Sequence, residues 1–190
     1  DGIMLIVNCR FLSQKITGTQ KFATEICKEL KKQKKDVVFL SNPNILQKDI
    51  ADELGVKIIG DKSYRWFKFF KLPSELLWEQ LVLPFYIKKY YPDTPLLNLI
   101  NLAPVVYPNN VVVLHDVAFK KYPEFFKKIF LLVYNLLIPI ILKRAKKVFT
   151  VSEFSKLEIV KFFKVDASKI EVIYNAVDGR KIETNKKEIK

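Results

Sequence analysis

Glycine is scarce in this chain of 190 residues, with five in all, and histidine occurs once. Each shortage removes a class of chemistry. The glycines form no GxGxxG array, no glycine-lysine Walker loop and no Gly-x-Ser-x-Gly elbow, so the common dinucleotide, kinase and hydrolase signatures are missing. One histidine and two cysteines without CxxC spacing give no zinc pattern, and no metal site is expected. Cys9 and Cys27 lie in apolar surroundings and read as small core residues in a reducing compartment. The longest apolar run, 129–142, is interrupted by Asn135 and Pro139 and as a helix is shorter than a bilayer core of about 30 Å. No charged leader with a small-residue cleavage site opens the sequence, so a cytoplasmic location is expected.

What is present is a 49% hydrophobic chain of single-domain length carrying a formal charge of +13. Such a charge attracts phosphates, anionic lipid headgroups or nucleic acid without choosing among them. A dedicated nucleic-acid reader would add a recognition helix, zinc spacing or a glycine-punctuated aromatic motif. Neither the zinc spacing nor the aromatic motif is found, so no specific nucleic-acid partner is expected.

Short β-branched runs alternate with longer amphipathic stretches, the pattern of parallel strands joined by crossover helices. Seven strands are predicted, at 3–8, 37–40, 56–59, 96–99, 111–115, 148–151 and 170–173. Their continuous hydrophobicity calls for helices on both faces, and hence an α/β, Rossmann-like, doubly wound and mostly parallel sheet. Thr17 and Gln20 have capping-box spacing, and Phe22, Ile26 and Leu30 follow on one face of a helix over 19–32. Further helices are expected over 45–54, closed by Gly55, after a cap at Ser74, and over 124–144, kinked or divided by Pro139. Ser152 is expected to cap a helix reaching about Phe163. Between Tyr64 and Tyr91 the sequence is dense in aromatic and basic residues. Residues 1–178 read as one domain and 179–190 as a polar tail or linker.

Ligands of doubly wound sheets bind beyond the carboxyl ends of the strands, which singles out three places. The loop containing Gly18 leads into a helix N-terminus that can hold an oxyanion, or is an ordinary strand-helix turn. His115 and Asp116 follow an apolar strand, where a neutral imidazole can donate to a sugar hydroxyl or a developing charge and the adjacent carboxylate can orient it or accept a substrate proton; a lone histidine is also often structural. Ser152, Glu153 and Ser155 gather at the next helix start, where capping alone explains Ser152 and Glu153.

Taken in order, Arg10-Phe11-Leu12 with Ile16-Thr17-Gly18-Thr19-Gln20-Lys21-Phe22, Trp78-Glu79-Gln80-Leu81-Val82-Leu83-Pro84, residues 98–104, His115-Asp116-Val117-Ala118-Phe119 with Tyr122-Pro123-Glu124, and residues 150–156 and 169–178 resemble the N-terminal half of family 4 glycosyltransferases. The resemblance covers about residues 3–178. It implies the first half of a two-domain GT-B fold and a retaining, metal-independent transfer of sugar from a nucleotide-sugar, with no separate cofactor. By the same resemblance His115 is the catalytic-site histidine near the transferred sugar, and Gly18, with Thr19 and Lys21 beside it, approaches the donor phosphates. Lys21 stands where relatives often carry arginine, and lysine offers only a point charge to a phosphate. Asn101, Asp116, Ser152, Glu153 and Ser155 line or support the acceptor side.

The resemblance also implies a C-terminal donor-binding domain with two glutamates eight positions apart, a spacing that this sequence does not contain. The expected partners are therefore that second domain, a saccharide or lipid-linked acceptor of polysaccharide or cell-envelope biosynthesis, and an anionic membrane surface met by the aromatic and basic stretch. The chain by itself is expected to be inactive or very weak. The competing reading is a non-catalytic, glycosyltransferase-like binding module.

Overall fold

A computed structural model describes residues 4–33, 36–60 and 72–174. All seven expected strands form: β1 (Leu5–Asn8), β2 (Val37–Ser41), β3 (Lys57–Ile58), β4 (Leu96–Asn98), β5 (Asn110–Val113), β6 (Lys147–Thr150) and β7 (Ile170–Val172). They make one parallel sheet in the order β3-β2-β1-β4-β5-β6-β7. The chain winds outward from β1 to β3, returns to the other side of β1 at β4, and then winds outward to β7. The switch point of this doubly wound sheet is thus the crevice between β1 and β4, flanked by Asn8 and Asn98, which are in register.

Helices cover both faces, which is why the strands are mostly apolar, with polar residues such as Asn8, Ser41, Asn98 and Thr150 at their carboxyl ends. On one face α1 (Gly18–Lys32) and α2 (Lys48–Leu54) pack with Val7, Cys9, Phe39 and Val113. Both cysteines are buried and free. The most buried line of α1 is Gln20, Ala23, Thr24 and Cys27; Phe22, Ile26 and Leu30, expected to lead the core face, lie partly buried on its flank. Small side chains at 23 and 27 bring the helix axis close to the sheet, and the larger ones fill the margin.

On the other face a π-helical turn (Trp78–Val82) and α4 (Leu83–Tyr90) pack on Ile6, Leu40 and Leu96, while α3 (Ser74–Leu77), just before them, buries Leu76 in the neighbouring cluster with Val112 and Leu114. Fully buried Trp78 satisfies its one donor by an Nε1–H bond to Ile59 O, 3.0 Å. Further along the sheet α5 (Ala118–Lys121), α6 (Lys128–Arg144) and α7 (Glu153–Phe163) enclose Val112, Leu114, Val148 and Ile170. Among the described residues no helix is long and apolar enough to cross a membrane.

Three local expectations need correction. The helix expected over 45–54 begins at Lys48, because Leu46 and Gln47 donate their N–H groups to Leu12 O. Gly55 closes it as expected, at φ 71, a left-handed position that favours glycine. Ser74 does not cap α3: Pro73 holds the cap position, and Ser74 Oγ accepts from Asn44 Nδ2 instead. The helix expected over 124–144 is divided, but at extended residues Phe126 and Lys127; α6 runs unbroken through Pro139. The break lets Phe126 turn back and stack on Phe130, centroids 5.1 Å apart, and Phe130 stacks in turn on Tyr134. The part of the aromatic and basic stretch at 61–71 and the segment 175–190 lie outside the described residues.

Candidate functional site

After β1 the chain makes a 3-10 turn (Arg10–Ser13) and crosses the carboxyl edge of the sheet to α1. The expected capping box forms: Thr17 N donates to Gln20 Oε1 at 3.0 Å, and the Thr17 side chain receives the reciprocal bond. Gln20 Nε2 donates to Gln14 Oε1 at 2.8 Å, while Gln47 Nε2 reaches Phe11 O and Gln14 O at 3.3 and 3.0 Å. Three glutamines therefore pin this connection. Gly18 opens α1 on the surface, and a Cβ placed there would meet nothing within 4 Å. Thr19 is half-buried, its hydroxyl 3.2 Å from that of Thr17, and Lys21 is exposed.

His115 lies beyond the end of β5 and edge-on to Phe22 of α1, with ring centroids 4.9 Å apart. Its Nε2 is 2.8 Å from Leu99 O. A carbonyl can only accept, so the proton sits on Nε2 and the neutral ring offers Nδ1 as an acceptor. Burial lowers the pKa of this imidazole, opposed by Leu99 O and by Asp116, which favours the neutral form. The ring's single N–H is thus already engaged, so the donating role expected of the imidazole has no free N–H to use, and the open ring nitrogen can only accept. Asn101 adopts a left-handed conformation, φ 69, from which its Oδ1 accepts from the backbone N–H of His115 at 2.8 Å. These two expected site residues are brought together.

Asp116 does not hydrogen-bond the imidazole beside it; Oδ1 accepts from Ala118 N at 2.9 Å in the turn leading to α5. Ser152 caps α7 as expected, accepting from Ser155 N and donating to Ser155 Oγ, both at 3.0 Å. Glu153 is exposed in the first turn of that helix. No group of three or more potential metal ligands occurs among the described residues.

Under the switch point lies a second polar assembly. Glu79, fully buried on the π-helical turn, accepts at Oε2 from Arg10 Nε (2.7 Å) and Asn8 Nδ2 (2.8 Å). Asn8 Nδ2 also meets Asn98 Oδ1 at 2.9 Å, and Asn98 Nδ2 meets Asn110 Oδ1 at 3.0 Å. Burial disfavours the Arg10 charge, but Glu79, with Tyr134 and Glu75 contributing, holds its pKa above the usual arginine value. One donor is left over: Arg10 Nη2 is buried without an acceptor. Arg10 also lines a cavity of about 420 Å³ whose wall includes Gln14, Glu75, Leu76, Phe126, Phe130 and Tyr134.

Residues 16–180 match the family model of Glycosyltransferase Family 4. The chain belongs to this family. The family 4 match takes in every expected site residue from Gly18 to Ser155 and stops short of Arg10. A stretch of 71 residues, 37% of the chain, is 38% identical to the O-antigen chain mannosyltransferase RfbU of Salmonella typhimurium (strain LT2), and it spans 19% of that protein's length. In this family 4 domain the sequence offered no direct sign that Arg10 and Glu79 are partners. The available signal was a lone arginine directly after an apolar strand and a lone glutamate between Trp78 and Leu81, two charges placed where a core is expected.

Proposed function

We propose that this domain forms the acceptor-side wall of a GT-B cleft in an enzyme that transfers a sugar from a nucleotide-sugar to a saccharide or lipid-linked acceptor of the cell envelope. A second domain would carry most of the donor contacts. The observation that supports this best is Gly18: its backbone has no need of a left-handed conformation, and among the described residues no neighbour fills the space where a side chain would stand. An open helix N-terminus of this kind is suited to a diphosphate approaching from across a cleft. One turn later, Phe22 touches the His115 ring, which puts an imidazole acceptor near that opening. In this reading Nδ1 accepts a hydrogen bond from a hydroxyl of the transferred sugar, Thr19 and Lys21 flank the donor phosphates, and Asn101, Asp116, Ser152, Glu153 and Ser155 hold the acceptor side. A peripheral position on an anionic membrane surface accords with exposed Phe125, Leu132 and Leu136 beside Lys127 and Lys128.

The test is reconstitution. The chain alone should turn over a nucleotide-sugar very weakly or not at all, and a separately produced donor-binding half should restore turnover. Gly18→Ala should leave stability within about 0.5 kcal/mol, as expected of a substitution with no lost contact, while lowering restored turnover. His115→Ala should lower that turnover by about 100-fold, the scale of losing one well-placed polar contact. Folded halves that bind each other but stay inert would favour the non-catalytic module instead.

A further inference from the structure

His115 lies just beyond β5, yet it is held by the connection that follows β4. In a parallel ladder a bonded residue donates its N–H to one carbonyl of the neighbouring strand and accepts at its own carbonyl from the residue two positions further on. Asn101 keeps half of that pattern, donating its N–H to Val113 O at 3.0 Å. The other half passes to its side chain: at φ 69 the backbone has turned out of the strand path, and Oδ1 rather than the carbonyl accepts from His115 N at 2.8 Å. Asparagine enters this left-handed region more readily than most residues because its short amide can hydrogen-bond locally from it. The same connection holds the ring, since His115 Nε2–H donates to Leu99 O at 2.8 Å. Residues 99 and 101 therefore grip His115 at its imidazole and at its backbone.

Two further side chains close around this grip. The Asn101 amide donates to the hydroxyl of Tyr134 on α6, whose ring is fixed by stacking on Phe130 and by edge contact with Phe119, centroids 3.9 and 5.3 Å away. Phe22 of α1 stands edge-on to the imidazole at 4.9 Å. Among the described residues none bonds Nδ1. A neutral imidazole has two tautomers, and the bond made by one nitrogen decides which is present. We infer that Asn101 is a positioning residue: tied to His115 N and to Tyr134, it holds the imidazole against Leu99 O, which fixes the Nε2–H tautomer and presents Nδ1 as an acceptor. Its part on the acceptor side is thus played through His115. That Nδ1 then meets a sugar hydroxyl rests on the function proposed above. The tautomer does not.

His115 is the only histidine of the chain, so its ring nitrogens can be read directly in a 15N-labelled sample of the 190 residues, with no donor and no second domain. At pH 8, about 1.5 units above the ordinary histidine value, the ring is neutral, and a two-bond 1H–15N correlation spectrum should show a protonated Nε2 and an unprotonated Nδ1. Asn101→Gly keeps the left-handed backbone accessible and removes the amide, and it should move the two nitrogen shifts toward each other as the tautomers mix. Asn101→Asp keeps an oxygen toward His115 N and should restore the parent spectrum. Tyr134→Phe keeps the stacked ring and should shift the spectrum in the same direction as Asn101→Gly, by less. After reconstitution with a donor-binding half, Asn101→Gly should lower kcat at least about tenfold with the acceptor KM unchanged, as expected when a catalytic group is slightly misplaced. A protonated Nδ1 in the parent chain, or a parent-like spectrum in a folded Asn101→Gly variant, would overturn the assignment; if that variant does not fold, an unchanged Tyr134→Phe spectrum would do so. A raised acceptor KM with unchanged kcat would make Asn101 a direct acceptor contact instead. The expected spectra with no sugar transfer after reconstitution would keep the positioning role and remove the proposed function.

Discussion

Two stretches of the same sheet edge satisfy their polar atoms in opposite ways. Along the rim at the starts of α1, α5 and α7, the bonds join near neighbours: Thr17 with Gln20, Asp116 with Ala118, Ser152 with Ser155. Beneath the switch point they join Asn8, Arg10, Glu79 and Asn98 across 69 to 90 positions of sequence. The rim bonds are partly open to water, which can replace a lost partner at modest cost. Glu79 is sealed from solvent, so nothing replaces it. The rim can therefore vary with the ligands it meets, while the buried assembly sets how β1, β4 and the π-helical turn lie against one another.

The largest expected effect comes from breaking the buried side. Glu79→Gln leaves the Arg10 charge uncompensated and should cost about 3–5 kcal/mol by denaturant unfolding, with loss of the folded state as the extreme outcome. A loss below about 1 kcal/mol would erase the contrast between the two stretches. Ser152→Ala removes a single cap on the rim and should cost about 1 kcal/mol in the same assay, with α7 remaining helical by circular dichroism. A cost as large as that of Glu79→Gln would mean that the rim is also a structural brace.

The smallest effect is expected from His115 through pH. Its pKa is lowered by burial, so at mildly acidic pH the folded protein binds fewer protons than the unfolded chain. Stability from this group is fully present above the unfolded value of about 6.5 and is lost as pH falls from there toward the folded value. Unfolding measured between pH 8 and pH 5 should show this decline, and His115→Gln should flatten it. An unchanged slope in the variant would assign the decline to other groups.

The same contrast explains what could be read from the sequence. The central strands were legible because they are largely apolar runs buried on both faces, and the caps at Thr17 and Ser152 because both partners lie within a few residues. Gly55 was legible for the same reason, as a left-handed end to α2. Misreadings arose where a distant group intervened. Leu12 O captured the start of the expected second helix, Asn44 engaged Ser74, and ring stacking moved the break in the long helix from Pro139 to Phe126. Pairing Arg10 with Glu79 required knowing that the π-helical turn packs under β1. Asn101, by contrast, was singled out by resemblance as an acceptor-side residue, and its bond to the His115 backbone depends on a left-handed turn that no local pattern announced.

In the proposed two-domain enzyme, the three glutamines that pin the connection between β1 and α1 have a thermodynamic consequence for the closing of the second domain over it. Gln14, Gln20 and Gln47 hold that segment in one arrangement through bonds within the domain. A surface whose shape is already set loses little conformational freedom on contact, so the entropic cost of closure falls mainly on the incoming partner. Loosening the connection, for example with Gln47→Ala, would transfer part of that cost to this side and weaken association even though Gln47 itself touched nothing in the partner.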